Sequence, residues 1–183
     1  IEHDYLEYVD GKKREDGLIS FLESRNIHLP MGLPEDPLGK ETVYGLSKRK
    51  DDLFLQHLHQ NGVQVYESTI SLIKALRENH IHTAIISASR NCEEVLRAAN
   101  ILELFDTRVD GVVAAHLNLP GKPKPEVFLE AAKRLKIPPE KAVVVEDAVA
   151  GVEAGHDGGF GLVIGVNRDH HAAELKAQGA DVV

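Results

Sequence analysis

Hydrophobic patterning changes character near residue 62. Before that point apolar side chains recur at helical spacing and no convincing strand is visible. Ile1 to Val9 predicts a helix with Tyr5, Leu6 and Val9 on one side, and Asp10-Gly11-Lys12 predicts a turn. Glu15 to Arg25 carries Leu18, Ile19 and Leu22 at helical spacing. Pro30, Gly32, Pro34, Pro37 and Gly39 make Asn26 to Lys40 a loop. Thr42 to Lys48 predicts a short helix, and Asp51 to Gln60 a stronger one with Phe54, Leu55 and Leu58 apolar. An all-helical segment ahead of an alternating one predicts two units, a small α-helical domain over residues 1–62 and an α/β domain over 63–183.

From Val63 onward short β-branched runs alternate with helical patterns. Helices are expected at Ser68–Glu78, Asn91–Ala99, Pro125–Leu135, Val149–His156 and Asp169–Gln178. Strands are expected at Thr83–Ile86, Arg108–Val113, Ala142–Val145 and Phe160–Val166, with another beginning at Val182-Val183. Thr83–Ile86 and Ala142–Val145 read as buried. Such alternation implies βαβ units and a Rossmann-like parallel sheet. Ligands of open α/β sheets lie beyond the carboxyl ends of the strands, so three strand ends draw attention.

Ser87-Ala88-Ser89-Arg90-Asn91 follows the first strand. A hydroxyl there can donate to a phosphoryl oxygen, and the next helix offers free N–H groups and a positive dipole end. Ser89 or Asn91 reads equally as an ordinary helix cap. In Gly121-Lys122-Pro123-Lys124-Pro125-Glu126 the prolines stiffen the backbone around Lys122. A lysine so held can neutralise a phosphoryl group; the plainer reading is a solvated basic loop, which suits Lys124. Val143-Val144-Val145 ends in Glu146-Asp147, two hard oxygen donors suited to Mg²⁺. Alternatively Asp147 only caps the next helix. Ala150, Gly151 and Gly155 are small enough to let that helix approach the strand closely. A hydroxyl, a cation and a dicarboxylate together suit Mg²⁺-assisted phosphoryl transfer, in which positioning and charge neutralisation dominate.

Composition narrows the field. A net charge of −8 argues against a broad nucleic-acid surface. Cys92 is the single cysteine, so no intramolecular disulfide forms, which fits a reducing cytoplasm. No apolar run reaches the ~18 residues of a membrane span, and no signal peptide is visible. The close pairs among the ten histidines (His57/His59, His80/His82, His170/His171) lack metal-ligand spacing and read as surface or helix-end residues.

The ordered set of Ser87, Gly121-Lys122-Pro123-Lys124-Pro125-Glu126 and Glu146-Asp147-Ala148-Val149-Ala150-Gly151 resembles the haloacid dehalogenase superfamily. Tyr8 to Gly17, Lys48-Arg49-Lys50-Asp51-Asp52 and Ser87 to Asn91 are similar to the β-phosphoglucomutase-like phosphatases and phosphomutases within it. The resemblance covers nearly the whole chain. It implies that the leading helices form a cap, that Ser87 binds the transferring phosphoryl group, and that Lys122 bridges that group and the nucleophile. It implies that Glu146 and Asp147 hold Mg²⁺, Asp147 more directly. Arg14 would grip the distal phosphate with Lys50 assisting, and Ser89, Arg90 and Asn91 would contact the substrate. Read without the family, Arg14 is a surface charge.

The superfamily's nucleophile lies in an Asp-x-Asp motif after an apolar strand that precedes the cap. Val9-Asp10-Gly11 is the nearest imitation, but Glu2, His3 and Asp4 spoil a strand before it. Asp51-Asp52 sits in a charged helical segment, and Asp106 and Asp110 come too late. The chain starts at Ile1 without Met and stops as a strand begins, so both ends are expected to be truncations. The parent is expected to carry roughly a few tens of further residues before Ile1. The expected activity is conversion of a small phosphosugar by a cytoplasmic, monomeric phosphomutase. The alternatives are a phosphatase acting on a small phosphate ester, its access altered by the His28–Lys40 loop, and a non-catalytic phosphate-binding module.

Overall fold

The computed structural model describes residues 4, 7–9, 11–168 and 170–183. Tyr5, Leu6 and Asp10 of the expected first helix and turn lie outside them, as does Asp169 of the expected last helix. The leading part holds helix α1 (Arg14–Glu23) packed on α2 (Val43–Asn61). Thr42 starts α2 by accepting from the Gly45 amide at 3.1 Å, and Gly62, at φ 69°, ends it. This one 19-residue helix replaces the two expected over Thr42–Gln60. The intervening Arg49-Lys50 are good helix formers, and a change of polarity does not break a helix.

The loop between α1 and α2 is wound around buried Asp36, whose carboxylate accepts from Lys40 Nζ (2.6 Å), Thr42 Oγ1 (2.9 Å) and the Leu33 amide (3.1 Å). The Lys40 contact foremost, then the Leu33 amide, holds its pKa down from 3.8 to about 2. A carboxyl depressed on folding stabilises the fold above its ordinary pKa, and this contribution is lost as pH falls through the folded value. Wild type is therefore expected to lose urea resistance between about pH 4 and about pH 2 more steeply than Asp36→Asn. Parallel curves for the two proteins would contradict this account of the loop.

Helix α3 (Glu67–Glu78) leads into the α/β part. There β1 (Ala84–Ile86), α4 (Cys92–Ala98), β2 (Thr107–Val109) and α5 (Gly111–His116) are followed by α6 (Glu126–Leu135), β3 (Val143–Glu146), α7 (Val149–Asp157), β4 (Leu162–Gly165) and α8 (Ala172–Ala177). Strands β1 and β2 pair in parallel, Ala84 opposite Thr107, and β3 and β4 likewise, Val143 opposite Leu162. Val182 adds an isolated parallel bridge to Ile164. The two strand pairs are not hydrogen-bonded to each other among the described residues. Val109, Phe128, Val144, Val152, Val163 and Leu175 form the buried core.

The structure corrects two expectations here. The run Arg108–Val113 is not one strand: β2 stops at Val109, and Val112 and Val113 belong to α5. Asp110 turns the chain, because its Oδ1 accepts from the amides of Val112 and Val113, both at 3.0 Å. Nor is β3 buried on both faces. Val144 is buried between layers, but Val143 and Val145 are 57% and 54% exposed, since no described element covers their face. Among the described residues no helix is long and apolar enough to cross a membrane.

Candidate active site

Two of the three expected strand ends, after β1 and β3, meet Lys122 at one end of the α/β part; Lys122 itself lies between helices α5 and α6 and not at a strand end, because β2 stops at Val109. Ser87 extends β1, its amide donating to the Val109 carbonyl at 3.1 Å. Its Oγ accepts from the Ser89 amide, and Ser89 Oγ accepts from the Asn91 amide, each at 3.1 Å. These hydroxyl turns wind the loop from Ser87 to Asn91. The loop rests on Gly111, whose amide donates to the Ser89 carbonyl at 3.0 Å.

Lys122 lies on the loop before α6, within a turn closed by the Lys124 amide donating to the Gly121 carbonyl at 3.0 Å. Its Nζ donates to Glu146 Oε1 at 2.8 Å, with the two side chains only 8% and 11% exposed. The ammonium also sits 5.4 Å from the centre of the Phe128 ring. Glu146 folds back over α7 where Gly151 leaves room, since a Cβ there would stand 2.3 Å from Glu146 Cγ. Burial pushes the Glu146 carboxyl up, against the downward pull of Lys122. Asp147 is 50% exposed, and its Oδ2 pairs with Arg168 Nε at 2.9 Å. The Arg168 guanidinium in turn stacks 3.9 Å from the centre of the Tyr66 ring.

Side-chain contacts reach over from the helical segment, among them His59 Nε2 with Glu94 Oε1 at 2.7 Å. Lys13 Nζ donates to the Leu119 carbonyl at 3.1 Å. Arg14 Nη2 donates to Asp51 Oδ1 at 2.6 Å, and the same oxygen accepts from Asn91 Nδ2 at 2.6 Å. Lys13 and Arg14 also line a cavity of about 130 Å³ with Glu15, Ser87, Arg90 and Lys122, and with Ile86 and Val127 as apolar lining. Four of those residues are cationic or offer a guanidinium, in a chain of net charge −8. Such a pocket suits an anion with an apolar or hydroxylated body.

Of the candidate residues, Arg14, Ser87, Arg90 and Lys122 line the cavity. Glu146 joins it through Lys122, and Asn91 through Asp51. Ser89 is exposed and serves the loop's own turns. Lys50 is exposed on α2 and does not line the cavity. The sequence reading assigned no role to Lys13 or Asp51. Their partners lie 106, 37 and 40 residues away, so no local spacing could reveal them. The buried Asp110 caps α5 and pairs with Arg108 at 2.8 Å, which makes it structural.

Comparison with known proteins identifies the family. The family model for haloacid dehalogenase-like hydrolases matches residues 13–159. A β-phosphoglucomutase of Mycobacterium bovis is 44% identical over 183 residues, covering 98% of this chain and 70% of that protein. A phosphorylated carbohydrates phosphatase of Thermotoga maritima is 31% identical over 147 residues, covering 74% of this chain and 66% of that protein. The crystal structure of a β-phosphoglucomutase from Clostridium difficile superposes with a TM-score of 0.77 at 25% identity, covering 100% of this chain and 75% of that one. The chain belongs to the haloacid dehalogenase-like hydrolase family, on its β-phosphoglucomutase-like branch, as an enzyme of the phosphomutase or phosphatase kind. The parallel α/β core with a helical cap is the fold of that branch.

Proposed function

We propose that the whole protein is a Mg²⁺-dependent phosphomutase that interconverts a hexose 1-phosphate and a hexose 6-phosphate through an aspartyl phosphate. Residues 1–62 act as the cap and 63–183 as the core. One observation carries this reading: Arg14 of the helical segment and Ser87 and Lys122 of the α/β part face one cavity. A sugar carrying phosphate at each end needs cationic or donor groups at two points, and the lining of this cavity draws them from both the helical segment and the α/β part.

In this reading Ser87 Oγ and the free amides of its loop donate to the transferring phosphoryl group. Lys122 neutralises charge on that group while holding Glu146 in place. Arg14 binds the distal phosphate, and Arg90 assists at the cavity edge. No aspartate lines the cavity among the described residues, so the nucleophile would come from sequence outside this chain. Once phosphorylated, that aspartate would pass its phosphoryl group to the 6-hydroxyl of hexose 1-phosphate, whose proton goes to an acid/base group beside it, giving the bisphosphate; the freed carboxylate would then take the 1-phosphoryl group as the sugar O1 leaves with that proton. Glu146 and Asp147 fit Mg²⁺ in kind. They are hard oxygen donors at a strand end, and Mg²⁺ completes its shell with water and substrate phosphate rather than an all-protein cage. When bound, the ion would neutralise phosphoryl charge. Lys122 and Arg168 hold the two carboxylates in place.

The test is product analysis with the full-length protein, β-glucose 1-phosphate, a trace of the bisphosphate, and Mg²⁺. Glucose 6-phosphate should accumulate with little free phosphate. Arg14→Ala should lower kcat/KM on the order of 100-fold, the effect of removing one charged partner from a phosphate contact. Free phosphate released in step with substrate loss would make the protein a phosphatase, the activity named for the Thermotoga relative.

A further inference from the structure

Asp51 joins three separate elements at a single atom. Its Oδ1 accepts from Arg14 at the start of α1 and from Asn91 just ahead of α4, each at 2.6 Å, while Asp51 itself sits mid-way along α2. Both bonds are short and carried by a carboxylate, the stronger class of hydrogen bond. The chain of contacts continues inward. The Asn91 amide is held by Ser89 Oγ, and the Ser89 amide by Ser87 Oγ. Three links therefore run from the Asp51 carboxylate to the Ser87 hydroxyl, and one link runs to the Arg14 guanidinium.

We propose that Asp51 is a positioning residue that sets Arg14 and the Ser87 loop at a fixed separation across the cavity. This rests on the phosphosugar reading, in which those two groups hold the two ends of the substrate. An arginine side chain free to sample its rotamers would lose that freedom on grasping a phosphate. Asp51 removes much of that loss in advance by ordering the guanidinium before substrate arrives. The same oxygen ties the helical segment to the α/β part, beside the Lys13 contact to Leu119 and the His59 contact to Glu94, and of these three ties it is the one that joins Arg14 to the Ser87 loop. Asp51 touches no reacting atom in this scheme and acts through Arg14 and Asn91.

The test uses the full-length protein and four variants: Asp51→Ala, Asp51→Asn, Arg14→Ala and the double Arg14→Ala/Asp51→Ala. Misplaced binding groups lose rate without losing chemistry, so Asp51→Ala should raise KM for β-glucose 1-phosphate about tenfold, with kcat changed less than about threefold. Asp51→Asn keeps an accepting oxygen and should recover most of the loss. The double variant should lose clearly less than the product of the two single losses, because Asp51 works in part through Arg14. Losses that multiply, or wild-type KM in Asp51→Ala, would overturn the proposal. Amide hydrogen exchange over residues 87–91 gives a reading that needs no turnover. Exchange about tenfold faster in Asp51→Ala supports the tie to the Ser87 loop, and unchanged exchange overturns it. If wild type converts no sugar phosphate the functional reading fails, and exchange alone then decides the tie.

Discussion

Lys122→Met is expected to cost about 3–5 kcal/mol of stability at neutral pH, the usual consequence of removing one partner from a buried ion pair. Methionine keeps the length of the stem but withdraws the ammonium that donates to Glu146 Oε1 at 2.8 Å. With Glu146 only 11% exposed, water cannot replace that donor. Burial already pushes this carboxyl up, and the variant loses the opposing pull of Lys122. A carboxyl with a raised folded pKa stabilises the fold below its unfolded value, and that stability is lost as pH rises through the folded value. The deficit of Lys122→Met should therefore be smallest in mild acid and grow toward pH 8. Adding Glu146→Gln removes the stranded charge and should bring the protein back to within roughly 1–2 kcal/mol of wild type. Urea midpoints for the two variants at pH 5 and pH 8 check this. A loss under about 1 kcal/mol at pH 8 would mean that the ion pair is solvated. Activity should disappear in both variants under the proposed mechanism, so stability and turnover separate the two roles of Lys122.

The strands were legible because their signals are local. Ala84-Ile85-Ile86 and Val143-Val144-Val145 are β-branched or small apolar runs closed by polar residues, and strand ends follow directly from such runs. Gly158-Gly159 mark the end of α7 for the same reason, since they stop a periodic pattern. Where the reading went astray, one residue did what a run could not show. Asp110 starts a helix inside an apolar stretch, so Val112 and Val113 left the strand. The exposure of Val143 and Val145 depends on what covers β3 from elsewhere, which no pattern within the strand encodes. The site shows the same division. That Ser87, Lys122 and Glu146 lie at loop or strand ends follows from neighbouring residues. That Lys122 donates to Glu146, 24 residues on, and that Asp51 holds Arg14 and Asn91, is a property of packing alone. The family resemblance points to Lys50, while its neighbour Asp51 makes the contacts.

Gly111→Ala sets two effects of opposite sign against each other. By propensity alone, alanine in the first turn of α5 should stabilise by up to about 1 kcal/mol, through the helix and through a less flexible unfolded chain. Gly111 does not have a positive φ, so its backbone conformation offers no objection. Space does. An added Cβ would stand 2.5 Å from the Ala88 carbonyl oxygen and 3.0 Å from the Arg90 nitrogen. These are backbone atoms of the loop that begins at Ser87, and they cannot rotate away as a side chain end can. The loop is also bonded to this residue, because the Gly111 amide donates to the Ser89 carbonyl. Relief therefore requires the whole loop to move, and overpacking of that kind costs about 1–3 kcal/mol. We expect the clash to win, giving a lower urea midpoint despite the better helix former. A displacement near 1 Å at Ser87 should lower kcat/KM on the order of 100-fold, since phosphoryl transfer depends on placement. A variant more stable than wild type, with turnover intact, would show that the loop yields at little cost and that Gly111 does not fix the position of Ser87.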